Sequence, residues 1–202
     1  MRNKYPSQLV FLLSLTLLLH SCSGIKITSR YYFEHEKVLD QVESSYRTLY
    51  KDKPFSLAFT DKLFRTLSME IITDSLTYIY EFNLNEKRMN DTAAKYHIDT
   101  AGLNRLVGYM RSIHCTWVNT FDYYVDDSKR MLIFISVKPV MTQDVLSYKK
   151  YYILTYYTQP QHFDPQGRLL DKRKLRRIRK INGEIFYRIN DKVCYTISGQ
   201  FR

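Results

Sequence analysis

The run His114-Cys115-Thr116-Trp117-Val118-Asn119-Thr120-Phe121-Asp122-Tyr123-Tyr124-Val125, the polar step Asp126-Asp127-Ser128-Lys129, and the run Arg130-Met131-Leu132-Ile133-Phe134-Ile135-Ser136-Val137-Lys138 decide the fold. Both runs are rich in β-branched and aromatic residues, which suit a pleated, half-buried surface. The acids, serine and lysine between them are turn chemistry. Together they predict a long antiparallel hairpin, closed by Pro139. Pairing Val125 with Arg130 sets Phe121 opposite Phe134 and Tyr123 opposite Leu132, cross-strand pairs that stabilise a sheet.

Just before the hairpin, residues 99–113 read as a helix. Leu103, Leu106, Val107, Met110 and Ile113 recur at helical spacing, and Asp99 or Thr100 can cap the start. Gly102 and Gly108 each weaken it by roughly 1 kcal/mol relative to Ala, unless something packs closely there. Residues 83–97 are polar and read as a loop. Strands are expected over residues 55–60, 64–73 and 76–82, with Thr73-Asp74-Ser75 turning the last two into a hairpin. A first helix spans residues 33–51, with Val38, Val42, Tyr46 and Leu49 on one stripe and Pro54 ending it. Residues 23–30 look like a short polar tether.

After the hairpin, residues 140–149 suit a short helix and residues 150–158 a strand. Residues 159–167 hold two prolines and a glycine and read as a loop. Residues 168–181 are ambiguous. As a helix, Leu175, Ile178 and Ile181 share a face, but Asn182-Gly183 is a strong hairpin turn and argues for extended chain before it. Residues 184–189, the turn Asn190-Asp191 and residues 192–198 complete a meander. The expected fold class is α+β: a curved antiparallel sheet with two main helices packed on one face. The element order loosely resembles the cone-shaped folds of the nuclear transport factor family or of cystatins, which implies no activity.

Composition bounds the rest. The 202 residues are 45% apolar and 25% charged with 6 Gly and 5 Pro, which excludes collagen-like and low-complexity chains. No apolar stretch reaches the 18 or so residues of a spanning helix. Most of the 18 tyrosines fall in pairs or alternations, the pairs being Tyr31-Tyr32, Tyr123-Tyr124, Tyr151-Tyr152 and Tyr156-Tyr157. Strand packing accounts for them, and an aromatic ligand platform is the alternative. The formal charge is +11, and it is uneven: residues 159–202 carry 11 basic and 4 acidic side chains.

At the amino end, Arg2 and Lys4 precede an apolar run over residues 9–19, broken by Ser14 and Thr16, and then Leu19-His20-Ser21-Cys22-Ser23-Gly24. The run is too short to span a bilayer but suits an export signal. Leu19-His20-Ser21-Cys22 resembles the lipobox of bacterial lipoproteins: an aliphatic residue, two further positions ending in a small one, then Cys. His20 stands where that pattern usually has a small residue. The resemblance covers the signal alone. It implies a signal peptide over residues 1–21, cleavage before Cys22, and lipidation of Cys22. Ser23, rather than Asp, resembles the outer-membrane sorting class. The organisation expected is therefore signal 1–21, lipid-anchored tether 22–32, and one α+β domain over 33–202 with a basic C-terminal region. Two or three acyl chains anchor firmly where one would not.

Of the remaining candidates, Lys172, Arg173, Lys174, Arg176, Arg177, Arg179 and Lys180 form the strongest local feature. In an exported chain such a run suits an anionic envelope surface or a protein partner, with no nucleic acid expected; a solvated face explains it equally. Cys115 and Cys194 lie in strand-like segments, either as buried free thiols or as a disulfide. His35, His97, His114 and His162 are scattered and suggest no metal site. No catalytic residue is nominated: G-x-S-x-G is absent, His114 and Cys115 are strand neighbours pointing to opposite faces, and no phosphate loop occurs. No cofactor is implied. Asp74-Ser75-Leu76, Asp91-Thr92-Ala93 and Asp99-Thr100-Ala101 resemble short O-glycosylation acceptors, with turn or cap explanations for the first and last. The reading expected is a non-enzymatic, lipid-anchored envelope protein. Its alternatives are an accessory lipoprotein of an envelope-spanning secretion or assembly machine, and a cell-wall or glycan-acting enzyme with an unrecognised site.

Overall fold

The computed structural model describes residues 23–125, 128–137, 151–171 and 177–199. In chain order these form helix α1 (Ser23–Asp52), strands β1 (Phe55–Phe59), β2 (Thr66–Ile72) and β3 (Thr77–Asn83), and helices α2 (Lys87–Lys95) and α3 (Thr100–Ser112). Strands β4 (Cys115–Val125), β5 (Ser128–Val137), β6 (Tyr151–Tyr156), β7 (Lys180–Ile181), β8 (Glu184–Ile185), β9 (Tyr187–Arg188) and β10 (Val193–Ser198) follow. Eight strands make one open antiparallel sheet in the order β3-β2-β1-β4-β5-β6-β10-β9, and β7 pairs with β8 alone. The fold is α+β, with α1 and α3 packed on each other and over the middle of the sheet.

The long hairpin forms, but in a tighter register than expected. Val125 pairs with Ser128, Tyr123 with Arg130 and Phe121 with Leu132. Ser128 and Lys129 thus belong to β5 rather than to a turn, and Lys129 Nζ lies 2.8 Å from the Asp122 carboxylate. A two-residue slip keeps every side chain on its expected face, because the strand period is two.

The first helix already includes Ser23, ten residues before residue 33, so residues 23–30 are not an extended tether. Thr28, Tyr31 and Tyr32 carry the stripe of Leu39, Val42, Tyr46 and Leu49 one further step toward the amino end, and all of them are buried. Phe33 points outward. The Tyr31 hydroxyl donates to the Ile113 carbonyl, and the Tyr46 hydroxyl donates to the Phe55 carbonyl at 2.5 Å. The Tyr31-Tyr32 pair therefore serves helix packing, not strand packing. Residues 83–97 hold a helix, α2, where a loop was expected; only Met89, Thr92 and Ala93 are buried, too few to show as a stripe.

Asp99 caps α3. Its carboxylate accepts from the Ala101 and Gly102 amides, both at 3.0 Å. Gly102 is the close contact: a Cβ there would sit 2.6 Å from Asp99 Oδ2 and 3.0 Å from Leu49 Cδ2 of α1. Residues 177–181 are extended, with Ile178 bridged to Leu170 and β7 turning into β8 through Asn182-Gly183, both at positive φ. That removes the helical reading for this part. The short helix expected over residues 140–149 and the basic residues 172–176 lie outside the described residues.

Asp99→Ala is expected to lower stability by about 1 kcal/mol. Thermal unfolding followed by circular dichroism should show the midpoint fall by about 2–4 °C. No change would mean that the carboxylate does not cap α3.

Candidate functional site

The sheet is apolar on both faces, and the two faces have different covers. Val118, Ile133, Ile135, Leu154 and Tyr195 face α1 and α3. On the other side Leu132, Phe134, Tyr157 and Cys194 are covered by Phe163, Leu169, Ile181 and Phe186 from the C-terminal segment. That second layer carries the features to which function can attach.

A bulge in β4 shapes it. The pairing shifts between Cys115 and Trp117, so Thr116 is extra, and its hydroxyl is held by the Ser136 carbonyl at 3.1 Å. A bulge re-aims the side chains that follow it. Trp117 consequently turns to the outer face, where its ring stacks on Phe134 with 6.5 Å between centroids and 9° between planes. Trp117 and Phe134 form one wall of a small cleft of about 70 Å³, with Phe186 and the β7–β8 turn above it. Three of the polar groups at its rim are engaged within the chain: Ser198 Oγ donates to Glu184 Oε1 at 3.2 Å, and Thr196 Oγ1 donates to the Ile185 carbonyl at 3.1 Å. The cleft has room for a few waters. Among the described residues its lining holds one carboxylate, Glu184.

The two cysteines are free thiols, which corrects the disulfide reading. Cys115 lies on β4 facing the helices and Cys194 on β10 facing the C-terminal layer. Two strands, β5 and β6, separate β4 from β10, so three strand spacings, about 14 Å, lie between them. A disulfide needs Cα atoms within about 7 Å. Burial pushes both thiols up to about 12. His114 is exposed with its ring against Phe64, while Cys115 is buried, so the two do not meet.

Of the basic run, Arg177, Arg179 and Lys180 are described; Lys172, Arg173, Lys174 and Arg176 are not. Arg177 and Lys180 are exposed, and among the described residues neither has an ion-pair partner. Arg179 is held, its Nη1 donating to Gln161 Oε1 at 3.0 Å. The contacts continue toward the start of α1. The Gln161 amide donates to the Asp191 carbonyl at 2.7 Å, and the neighbouring Asn190 donates from Nδ2 to the Tyr32 hydroxyl at 3.1 Å. Arg179 and Tyr32 of α1 are therefore joined through residues 161, 190 and 191, a proximity that sequence could not reveal.

Of the acceptor-like motifs, Ser75 is exposed on the β2–β3 turn, Thr92 is buried in α2, and Thr100 opens α3 behind its cap. Burial removes Thr92 as an acceptor in the folded chain. Among the described residues no cluster of three His, Cys, Asp or Glu could hold a metal ion, and no helix is long and apolar enough to cross a membrane. The chain matches no protein-family model, no curated protein and no solved structure.

In a Cys22→Ser chain, Ellman's reagent is expected to find no reactive thiol in native buffer and two after unfolding. Two rapidly reacting thiols in native buffer would place them at the surface. The same burial sets a pH dependence. The folded thiols hold their protons above the ordinary value of 9.0, and burial raises the Tyr31, Tyr46 and Tyr156 hydroxyls too. Above that pH the unfolded chain releases these protons first, so stability is full below about pH 9 and falls as pH rises toward 12. Urea midpoints between pH 7 and 11 should decrease only in the upper part of the range.

Proposed function

We propose that this chain is a non-enzymatic lipoprotein of the cell envelope, lipidated at Cys22 and exported by the signal over residues 1–21. In this reading its α+β domain is held against the membrane and meets an anionic envelope surface, or a protein partner there, through the basic C-terminal region.

The observation that carries the reading is how near the folded domain comes to the lipobox cysteine. Ser23, the residue after it, already lies in α1, and Thr28 is already buried. At 1.5 Å per residue, about 7.5 Å of helix separates Ser23 from Thr28. An acylated Cys22 would thus hold the domain by a short lever rather than a loose tether. The end of the molecule that such an anchor draws to the bilayer is also the end to which Arg179 is tied. Each cation close to an anionic surface contributes about 1 kcal/mol, which adds to the anchor rather than replacing it. Outer-membrane residence follows from Ser23 by the sorting resemblance, and the proposal extends to it.

Two experiments test this. Cys22→Ser should move the protein from the membrane to the soluble fraction, and mass spectrometry of the unsubstituted protein should find an acylated Cys22 at its amino terminus. A free thiol there, or unchanged partition of the variant, would end the lipoprotein reading. With soluble Cys22→Ser as the parent, Arg177→Gln with Lys180→Gln should weaken binding to phosphatidylglycerol vesicles about thirty-fold at low salt, and less at 0.5 M salt, where screening is strong. Equal binding at low salt would leave these cations as a solvated face.

A further inference from the structure

We infer that the outer edge of β3 is a self-association surface, on which a second copy of this chain lays its own β3 antiparallel across a two-fold axis at Ile79. The inference stands on the sheet edge and does not depend on the anchor.

β3 closes one end of the sheet and has β2 as its neighbour. The Thr73 amide donates to the Leu76 carbonyl at 2.9 Å, and the Leu84 amide donates to the Arg65 carbonyl at 2.7 Å. With the register between them, those two bonds fix the ladder: even-numbered residues from Leu76 to Leu84 turn their amides and carbonyls toward β2, and Thr77, Ile79, Glu81 and Asn83 turn theirs outward. The carboxyl half of that outward row is already closed. Arg88 Nη2 donates to the Glu81 carbonyl at 2.6 Å, the Asn83 amide donates to Glu86 Oε2 at 2.9 Å, and the Glu86 amide donates to the Asn83 carbonyl at 3.0 Å. What stays open, among the described residues, is the amide and carbonyl of Thr77, those of Ile79, and the amide of Glu81.

The side chains agree. Leu76 and Tyr78 on one face and Ile79 on the other are 56%, 41% and 65% exposed, so this open edge carries apolar surface on both sides. The strand has no lysine and no proline, the usual guards against pairing.

This open row is complementary to itself. With Ile79 opposite the copy's Ile79, Thr77 faces the copy's Glu81 and Tyr78 faces the copy's Tyr80. Each Ile79 then exchanges both of its bonds, and each Glu81 amide meets a Thr77 carbonyl. Each Thr77 amide reaches a Glu81 carbonyl, whose second lone pair is available beside Arg88. Glu81 is the one charged residue of β3, and it meets a threonine, so like charges do not oppose each other. On the inner face Tyr80 already bonds Tyr96, hydroxyl to hydroxyl at 2.7 Å, with Tyr78 alongside. Pairing would join the two tyrosine groups through aromatic cross-strand contacts. Sliding by one step in one sense spends Asn83, whose groups are taken; in the other it runs Glu81 against the turn at Ser75.

The test is oxidative cross-linking of the full chain in the cells that make it, with copper phenanthroline. Ile79→Cys should give a band of twice the chain mass on a non-reducing gel, because opposed residues of a hydrogen-bonded pair lie about 5.5 Å apart, within disulfide reach. Thr77→Cys alone should not, while Thr77→Cys with Glu81→Cys should. The unsubstituted chain controls for Cys22, Cys115 and Cys194. In detergent extracts, Ile79→Lys should sediment as a monomer and the unsubstituted chain as a dimer. A monomeric unsubstituted chain, no cross-link from folded Ile79→Cys, cross-linking to a different protein instead, or equal cross-linking from Thr77→Cys alone would each overturn the inference.

Discussion

A sheet that is apolar on both sides needs two covers, and that requirement organises this molecule. Strands β4, β5, β6 and β10 carry large side chains toward the helices and also away from them. Fully burying each such side chain contributes about 1.5–3 kcal/mol relative to leaving it in water. The helical cover is α1 with α3. The second cover is assembled from short strands and single bridges of residues 163–170 and 178–188. Each cover brings something besides burial: α1 brings the residues that follow Cys22 in sequence, and the C-terminal layer brings Arg177, Arg179 and Lys180.

The ends of the sheet contrast. At β3 the covers stop, and Ile79 and Tyr78 meet solvent beside unpaired backbone. At β10 and β9 the C-terminal layer and the start of α1 converge through Asn190 and Tyr32. Seven strand spacings, about 34 Å, lie between the two ends. A contact made at the cationic end therefore leaves the apolar edge sterically free, so the proposed anchorage and the proposed self-pairing use different surfaces.

Features specified by neighbouring residues were legible in the sequence. The α3 stripe with its Asp99 cap, the β2–β3 turn and the Asn182-Gly183 turn each depend on a handful of adjacent side chains. The hairpin was legible as a hairpin, but its register was not, because a two-residue shift leaves the alternation intact. The stretch of α1 before residue 33 was hidden because Ile27, Thr28, Tyr31 and Tyr32 are interleaved with polar residues, and paired tyrosines favour strands as readily. α2 was hidden because Met89 and Ala93 are all the apolar anchorage it has. The bulge that turns Trp117 outward rests on Ser136, twenty residues away across the hairpin, and nothing adjacent announces it. Of the candidate site, the residue types were readable, while the proximity of the basic segment to α1 came only from the tertiary contacts.

The bond between Asn190 and Tyr32 spans 158 positions of the chain, and Val193 and Tyr195 share a core with Tyr31 and Tyr32. Contacts this distant carry the largest loop-closure cost and are completed late. Helix α1 accordingly stays partly unsupported until residues 190–195 have been made. A nascent chain halted before residue 190 lacks the partner of Tyr32, which ties the completion of the α1 packing to the arrival of β10.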